Sequence, residues 1–494
     1  MGSAGQGQES KKLADLNLQT TKTLPEIFFP GMLVVVKHTE KLFVPAAENP
    51  DSVQRSPSAL SLAMIVLWVA LAVSPLDALA DWPSFRGPWG NGHVLGPGDT
   101  KVVGLPLHWS ETNNVKWMIE IPHRGWSTPA VMNGQVWVTT ATLEGHEFFV
   151  ICVDAETGRI MLNKKLFHCD APESLGNAVN VNCYATPSPV IEPGRVYVHF
   201  GSYGTACIDT ETFQVVWQRA DMPCRHYRGP ASSPILFENL LILTFDGVDL
   251  QYLIALDKKT GRTVWKTNRS VEWNDIDENS SQMVREGDRR KAHSTPLVIT
   301  ANGRIQMLSG GAKAAYAYDP RTGRELWRVQ YQAWSAAPMP VFDEKLGLVF
   351  FISGLGKTEL LAVRADGEGD VTNTHIVWRS DEAVAKTASP ILADGLLYMV
   401  TDDGLVTCRE SANGKVVWRG GIGGRYAASP ILADGRLYFS NQQGKTTVLK
   451  AGRVFEVLAT NYLSGGFMAS PSVSGKALYL RTKTHLARIE DLTR

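Results

Sequence analysis

The sequence predicts an all-β fold, an eight-bladed β-propeller of four-stranded antiparallel blades, on three observations. An eleven-residue phrase recurs along the chain, a second phrase alternates with it eight times, and the two ends of the repeat region complete one another as a single unit.

The first phrase reads A-L-D-K-K-T-G-R-T-V-W from Ala255 to Trp265 and A-Y-D-P-R-T-G-R-E-L-W from Ala317 to Trp327. Looser copies run from Cys207 to Trp217, from Cys408 to Trp418 and from Cys152 to Leu162. Each reads as a strand, a tight turn and a second strand that ends on the Trp. Asp257 or Asp319 caps the turn with its carboxylate, and Gly261 or Gly323 takes the left-handed backbone that a bulged hairpin needs. Cys152, Cys207 and Cys408 stand where Ala255 and Ala317 stand in the other copies, which predicts a small buried strand residue and not a redox or metal role.

The second phrase is a small residue and Pro, an apolar run, a Gly turn and an aromatic, as in S-P-I-L-A-D-G-L-L-Y from Ser389 and S-P-I-L-A-D-G-R-L-Y from Ser429. Related starts at Pro129, Pro189, Pro234, Pro296, Pro340 and Pro471 bring the count to eight. Apolar stretches around a D-G or N-G step predict hairpins. Inner and outer hairpins alternating at roughly forty to sixty residues fit propeller blades with their loops. The last unit has only one further strand, His485 to Ile489, while Asn114 to Ile121 carries an orphan Trp117. That N-terminal strand is expected to complete the last blade and remove the free sheet edge. The structural tryptophans of the repeat are therefore Trp117, Trp217, Trp265, Trp327, Trp378 and Trp418.

The repeats run through the chain without an interruption large enough for another domain, so residues 81–494 are expected to form one domain, with blades from about 105. Residues 1–80 read as an extension and a signal peptide: Ala59 to Val73 is an uncharged apolar run preceded by Arg55 and followed by Ala78-Leu79-Ala80, with cleavage before Asp81. The run is shorter than the roughly twenty residues that a spanning helix needs, and no Cys follows the cleavage site, so no permanent membrane anchor is expected. Initiation at Met32 or beyond would account for the long leader. The expected product is a periplasmic or secreted monomer. Lys and Arg total 49 against 49 Asp and Glu, which argues against nucleic acid as a partner.

In a propeller the segments before the inner hairpins open onto one mouth of the channel. The eight segments here begin at Pro122, Asn180, Cys224, Arg289, Tyr331, Val384, Ile422 and Ser464, and none contains Asp or Glu. They carry Arg124, Arg225, His226, Arg228, His293, Lys386 and Arg425 beside Trp126, Tyr184, Tyr227, Trp334, Tyr426 and Phe467. A concave mouth of unopposed cations focuses a positive potential, and aromatics offer stacking faces. The candidate ligand set is Arg124, Trp126, His226, Arg228, His293, Trp334, Lys386 and Arg425, for an anionic, planar or sugar-like ligand. The alternative is structural lining, with Arg and His bonded to strand-end carbonyls or water. Protonated His226 and His293 would strengthen anion binding below their unperturbed pKa near 6.5.

Two acidic stretches are read as non-sites. Asp275, Asp277 and Asn279 resemble the opening of a calcium loop with Glu286 at its twelfth place, but Ser280 stands where its Gly belongs, and a solvated insertion is expected. Asp246 and Asp249 flank a Gly and are read as a turn. No metal site is assigned. Cys169, Cys183 and Cys224 fall in loops; Cys169–Cys183 is the expected disulfide, with Cys183–Cys224 as its rival.

The A-x-D-x-x-T-G-x-x-x-W phrase resembles the tryptophan-docking repeat of the PQQ-like propellers, and D-W-P-S-F-R-G-P from Asp81 to Pro88 is similar to secreted bacterial members. The resemblance covers Trp82 to Glu490. It implies an eight-bladed ring and either of two roles: a non-catalytic binding module for a ligand or an envelope protein, or a PQQ-dependent dehydrogenase. The family's dehydrogenases hold PQQ (pyrroloquinoline quinone) against a Trp beneath a disulfide of adjacent cysteines, beside calcium and a catalytic Asp. No two of the six cysteines here are adjacent, and the mouth segments offer no acid. The expected reading is the binding module, with no catalytic residue and PQQ as the alternative cofactor.

Overall fold

The computed structural model describes residues 81–493, apart from 97, 100 and 277–283. Residues 1–80, the expected extension and signal peptide, lie outside the described residues. Eight antiparallel sheets form the blades of a propeller, and their innermost strands are Ala130–Met132, Val190–Glu192, Ile235–Phe237, Leu297–Ala301, Val341–Asp343, Ile391–Ala393, Ile431–Ala433 and Ser472–Ser474. Each follows directly on one of the eight predicted prolines, which lack the N–H that a continuing ladder would need. Blade 3 is typical: Ile235–Phe237, Leu240–Asp246, Gln251–Asp257 and Thr263–Asn268 pair in that order. In blade 8, Ser472–Ser474, Ala477–Arg481 and His485–Ile489 are joined by Val115–Glu120, with Met118 opposite Ala487 and Ile119 opposite Leu486. Blade 4 gains a fifth strand, Gly369–Asp370, parallel to its outer strand Glu325–Gln330.

The turn chemistry of the repeat is visible in blade 3. Asp257 accepts bonds from the Thr260 amide and hydroxyl at 2.8 Å each, Gly261 has φ +71°, and a bulge falls between Ala255 and Leu256. The Trp does not end the outer strand, as expected from the phrase, but stands third in it; Trp265 is followed by three more strand residues to Asn268. That position aims the indole sideways at the next blade. Trp217 donates to Lys258 O at 3.0 Å, Trp265 to Pro320 O at 3.1 Å, Trp378 to Ser411 O at 3.0 Å, Trp418 to Gly452 O at 2.9 Å and Trp117 to Ala155 O at 3.0 Å. The turn Gly of the receiving blade lies beneath the ring: a Cβ on Gly158, Gly261, Gly323 or Gly414 would stand within 2.8 Å of Trp117, Trp217, Trp265 or Trp378. Trp327 departs from this, donating to Gln306 Oε1 at 2.7 Å, and Gln306 in turn donates to Ala365 O of blade 5.

A second set of links joins the innermost strands. In six of the eight blades the residue before the Pro carries its N–H toward the hydroxyl of the equivalent residue in the next blade: Thr128 to Ser188, Ser188 to Ser233, Ser233 to Thr295, Met339 to Ser389, Ser389 to Ser429 and Ser429 to Ser470, all at 2.9–3.0 Å. Blade 5 breaks the rule with Met339, and there Ser294 Oγ donates to Pro338 O at 2.9 Å instead. The small residue of the second phrase is thus an inter-blade fastener.

Candidate functional site

The path of each blade decides which loops share a face. Inner strands run away from the mouth, so the segments before them and the loops between second and third strands lie at the mouth, while the tight turns lie at the opposite end. At that opposite end the N-terminal segment crosses the channel. Trp82 bridges Val131, Pro83 O accepts from Ile191 N, and His93 and Val94 reach Leu392 and Leu432. Arg86 is buried between blades and donates to Pro430 O and Pro390 O at 2.5 Å each and to Asn91 O at 2.8 Å. Burial pulls its pKa down to about 9. Phe85 faces into the channel and forms its floor.

The result is a cavity of about 320 Å³. Its wall is a ring taken from one register, two residues ahead of the fastener in every blade: Trp126, Thr186, Ala231, His293, Ala337, Thr387, Ala427 and Met468. Arg228, Asn182, Lys386, Asp402 and Ser335 add polar groups. Arg228 and Ser335 both hold left-handed backbone, φ 73° and 60°, a cost for residues with a Cβ that tends to be retained at functional sites. Asn182 holds the Arg228 loop by donating to Arg228 O at 2.7 Å.

Of the predicted set, Trp126, Arg228, His293 and Lys386 line this cavity. Arg124 and Arg425 do not; they line a neighbouring cavity of about 270 Å³ with Asn180, Gln442, Gln443 and Lys483. Arg124 also lies over the Trp126 ring at 4.8 Å and donates to Val179 O, so the two cavities share that stack as a wall. His226 lies buried behind the channel against Phe245 and outside its lining. Trp334 is held at the lip, in a two-residue pairing with Leu355–Gly356 and under Arg289 at 5.3 Å.

Two expectations on charge are corrected. The mouth is not free of carboxylates, because Asp402 enters from the second-to-third strand loop of blade 6, Asp288 pairs with Arg228 at 3.4 Å and Glu173 with Arg225 at 2.8 Å. Burial raises the Asp402 pKa. The histidines are not protonated near pH 6.5: burial, then Lys291, holds both His226 and His293 well below the ordinary imidazole range. Phe85, Asp402, Lys483, Gln442 and Gln443 lie outside the segments before the inner hairpins, so those segments do not reveal them. Strand alternation alone would have brought in the second-to-third strand loops.

The acidic stretches also differ from expectation. Asp275 is not solvated but is paired with Arg290 at 2.6 Å, while Asp277 and Asn279 lie outside the described residues. Asp249 does make a turn, accepting from Arg225 N and Leu250 N, whereas Asp246 forms a buried pair with Arg269 at 2.7 Å. All six cysteines are thiols, so neither expected bridge is formed. Cys183 packs with Trp126 and Met468, Cys169 sits in the cluster around Phe148 and Tyr184, and Cys224 meets Leu250 O; packing holds them in separate surroundings. Cys152, Cys207 and Cys408 are buried strand residues, as their phrase position predicts.

A model of the family described as outer membrane protein assembly factor BamB matches residues 74–292 and 249–493. The chain belongs to the PQQ-like propeller family. In fold it is similar to the quinohemoprotein alcohol dehydrogenase of Comamonas testosteroni, with a TM-score of 0.59 and 12% identity over 83% of this chain and 80% of that one. A europium-containing methanol dehydrogenase gives 0.56 at 12% identity over 83% of this chain and 90% of that one. BamB of Moraxella catarrhalis gives 0.51 at 12% identity over 76% and 99%. No curated protein matches it significantly. The solved structures of this fold thus include an assembly factor and two dehydrogenases, and likeness at this identity is one of fold.

The residues present do not fit the calcium–quinone arrangement that the resemblance implies. Among the described residues Asp402 is the one carboxylate lining the channel cavity, and no three His, Cys, Asp or Glu side chains converge as a metal site. Calcium takes several oxygen ligands. One face of Trp126 is already covered by Arg124.

Proposed function

We propose that this PQQ-like propeller is an exported, non-catalytic binding module that holds a small sugar-like ligand in its one-ended channel. The observation that carries this is the cavity of about 320 Å³ floored by Phe85 and provided with Arg228, Asn182, His293, Lys386 and Asp402. Its size and mixture of hydroxyl, amide, charged and aromatic groups suit a polar ring, since ligand pockets combine an apolar lining with a few placed polar groups. Export rests on the apolar run from Ala59 to Val73 ahead of Asp81 and on the family's description as an outer membrane assembly factor. No helix among the described residues is long and apolar enough to cross a membrane.

Calorimetric titration of the full chain with galactose, glucose, galacturonate and glucuronate tests the reading, with PQQ plus calcium as the opposing arm. Saturable binding of a monosaccharide without retained quinone absorbance is expected. Quinone absorbance that survives dialysis would overturn the non-catalytic reading in favour of a dehydrogenase.

A further inference from the structure

The cavity beside the channel has a composition of its own. Arg124 enters it from the segment before blade 1, Asn180 from the short 3-10 helix Gly176–Asn180, Arg425 from the segment before blade 7, Gln442 and Gln443 from the second-to-third strand loop of blade 7, and Lys483 from the same loop of blade 8. Among the described residues three cations and three primary amides therefore line about 270 Å³, and no carboxylate does. Among the described residues none of the three cations is in an ion pair, whereas the neighbouring mouth cations Arg225 and Arg228 are matched by Glu173 and Asp288.

The backbone fixes these groups in place. Gln442 N donates to Arg425 O at 2.8 Å, and Gln443 Oε1 accepts from Arg425 N at 2.9 Å, tying the blade 7 loop to the segment that carries the guanidinium. Lys483 N donates to Gly466 O at 3.1 Å. Arg124 is pinned by its bridge to Ala141 and by its stack on Trp126. Holding three like charges around one concavity costs repulsion that an anion relieves. The amides add what a bare ion does not need: each donates and accepts, the pairing that sugar hydroxyls require.

We propose that this cavity is a second site, distinct from the channel, for the acidic group and flanking hydroxyls of a saccharide such as a uronate. The guanidinium groups supply forked donors to a carboxylate and Lys483 supplies a point charge. Position beside the channel mouth suits an oligosaccharide whose acidic residue lies here.

Galacturonate and galactose differ only at the carboxylate, so their affinities for the full chain isolate the charge. Galacturonate is expected to bind at least about tenfold more tightly, the return on one charged hydrogen-bond pairing, and to weaken between 50 and 500 mM salt (about the range over which exposed charges become screened). Arg425→Gln and Lys483→Gln, both at exposed positions, should each erase that preference. Galacturonate binding no better than galactose, or either variant keeping the preference, would overturn the proposal. Inorganic phosphate displacing galacturonate at equal concentration would reduce the cavity to a simple ion site and also overturn it. The Arg425 and Lys483 variants leave the channel lining intact, so failure here is distinguishable from failure of the channel reading.

Discussion

Ring closure rests on an aromatic seated against a glycine, and the Trp117–Gly158 contact is where the chain's two ends are locked to blade 1. Trp117 is 9% exposed, donates to Ala155 O at 3.0 Å and packs against Tyr479 at 6.1 Å between ring centres. Trp117→Ala deletes the ring and one of the two donors to Ala155 O, which Arg488 also reaches at 2.7 Å, for an expected loss of about 3 to 5 kcal/mol. Gly158→Ala is costly for two separable reasons. Its φ of +75° costs a residue with a Cβ about 1 to 2 kcal/mol, and the new methyl would stand 2.8 Å from the indole. In the double variant the methyl enters the space that the indole left, so the clash vanishes and only the backbone cost remains. Urea denaturation followed by far-ultraviolet circular dichroism should therefore show a double variant less damaged than the sum of the singles, by about 1 to 3 kcal/mol. Strict additivity would refute the docking argument. The chain already contains the complementary case: blade 1 has Leu162 in the Trp position, and the facing turn of blade 2 carries Phe213 at φ 58° where the Gly would be.

Arg86→Met should strand two buried carbonyls and one partly buried one, at a cost of at least about 2 kcal/mol, and leave the N-terminal segment open to limited proteolysis; a protected segment would show that Arg86 does not hold the floor. Burial keeps the folded pKa of His199 at about 3 and those of His226 and His293 well below normal. Between those values and about 6.5 the unfolded chain binds more protons, so stability should fall as pH drops from 7 to 5, approaching about 1.4 kcal/mol per pH unit for each imidazole. A urea midpoint that does not move over that interval, or that moves equally in His293→Asn, would contradict the assignment. Thiol titration of the unreduced, unfolded protein should count six groups, with Cys152, Cys207, Cys224 and Cys408 unreactive in the folded state because burial raises their pKa; fewer than six would reveal a bridge.

The blades were legible because each repeat spells its own local chemistry: Asp and Gly for the turn, Pro for the strand start, Trp for the neighbour. Trp265 could not be placed mid-strand from the phrase, since what lies beyond it, Lys266 to Asn268, is ordinary strand sequence. The channel site and the cavity beside it were half legible. Trp126, His293 and Lys386 follow from position relative to a Pro, but Asp402 and Lys483 arrive on loops whose approach depends on blade closure, and Phe85 arrives from a segment with no repeat at all. Charge was the least legible quantity. Arg225 and Arg228 read as free cations until the loops that bear Glu173 and Asp288 were folded beside them.

The measurement that bears most directly on the channel as a ligand site is monosaccharide binding to a chain whose channel is filled. Ala231 belongs to the wall ring and is only partly buried, so its side chain can grow into the cavity of about 320 Å³ without entering a blade core. Ala231→Phe should abolish the calorimetric signal of a neutral monosaccharide while leaving the unfolding free energy within about 0.5 kcal/mol of the parent, as substitutions outside a packed core usually do. Unchanged sugar affinity in a folded Ala231→Phe protein would place the ligand elsewhere and contradict the account.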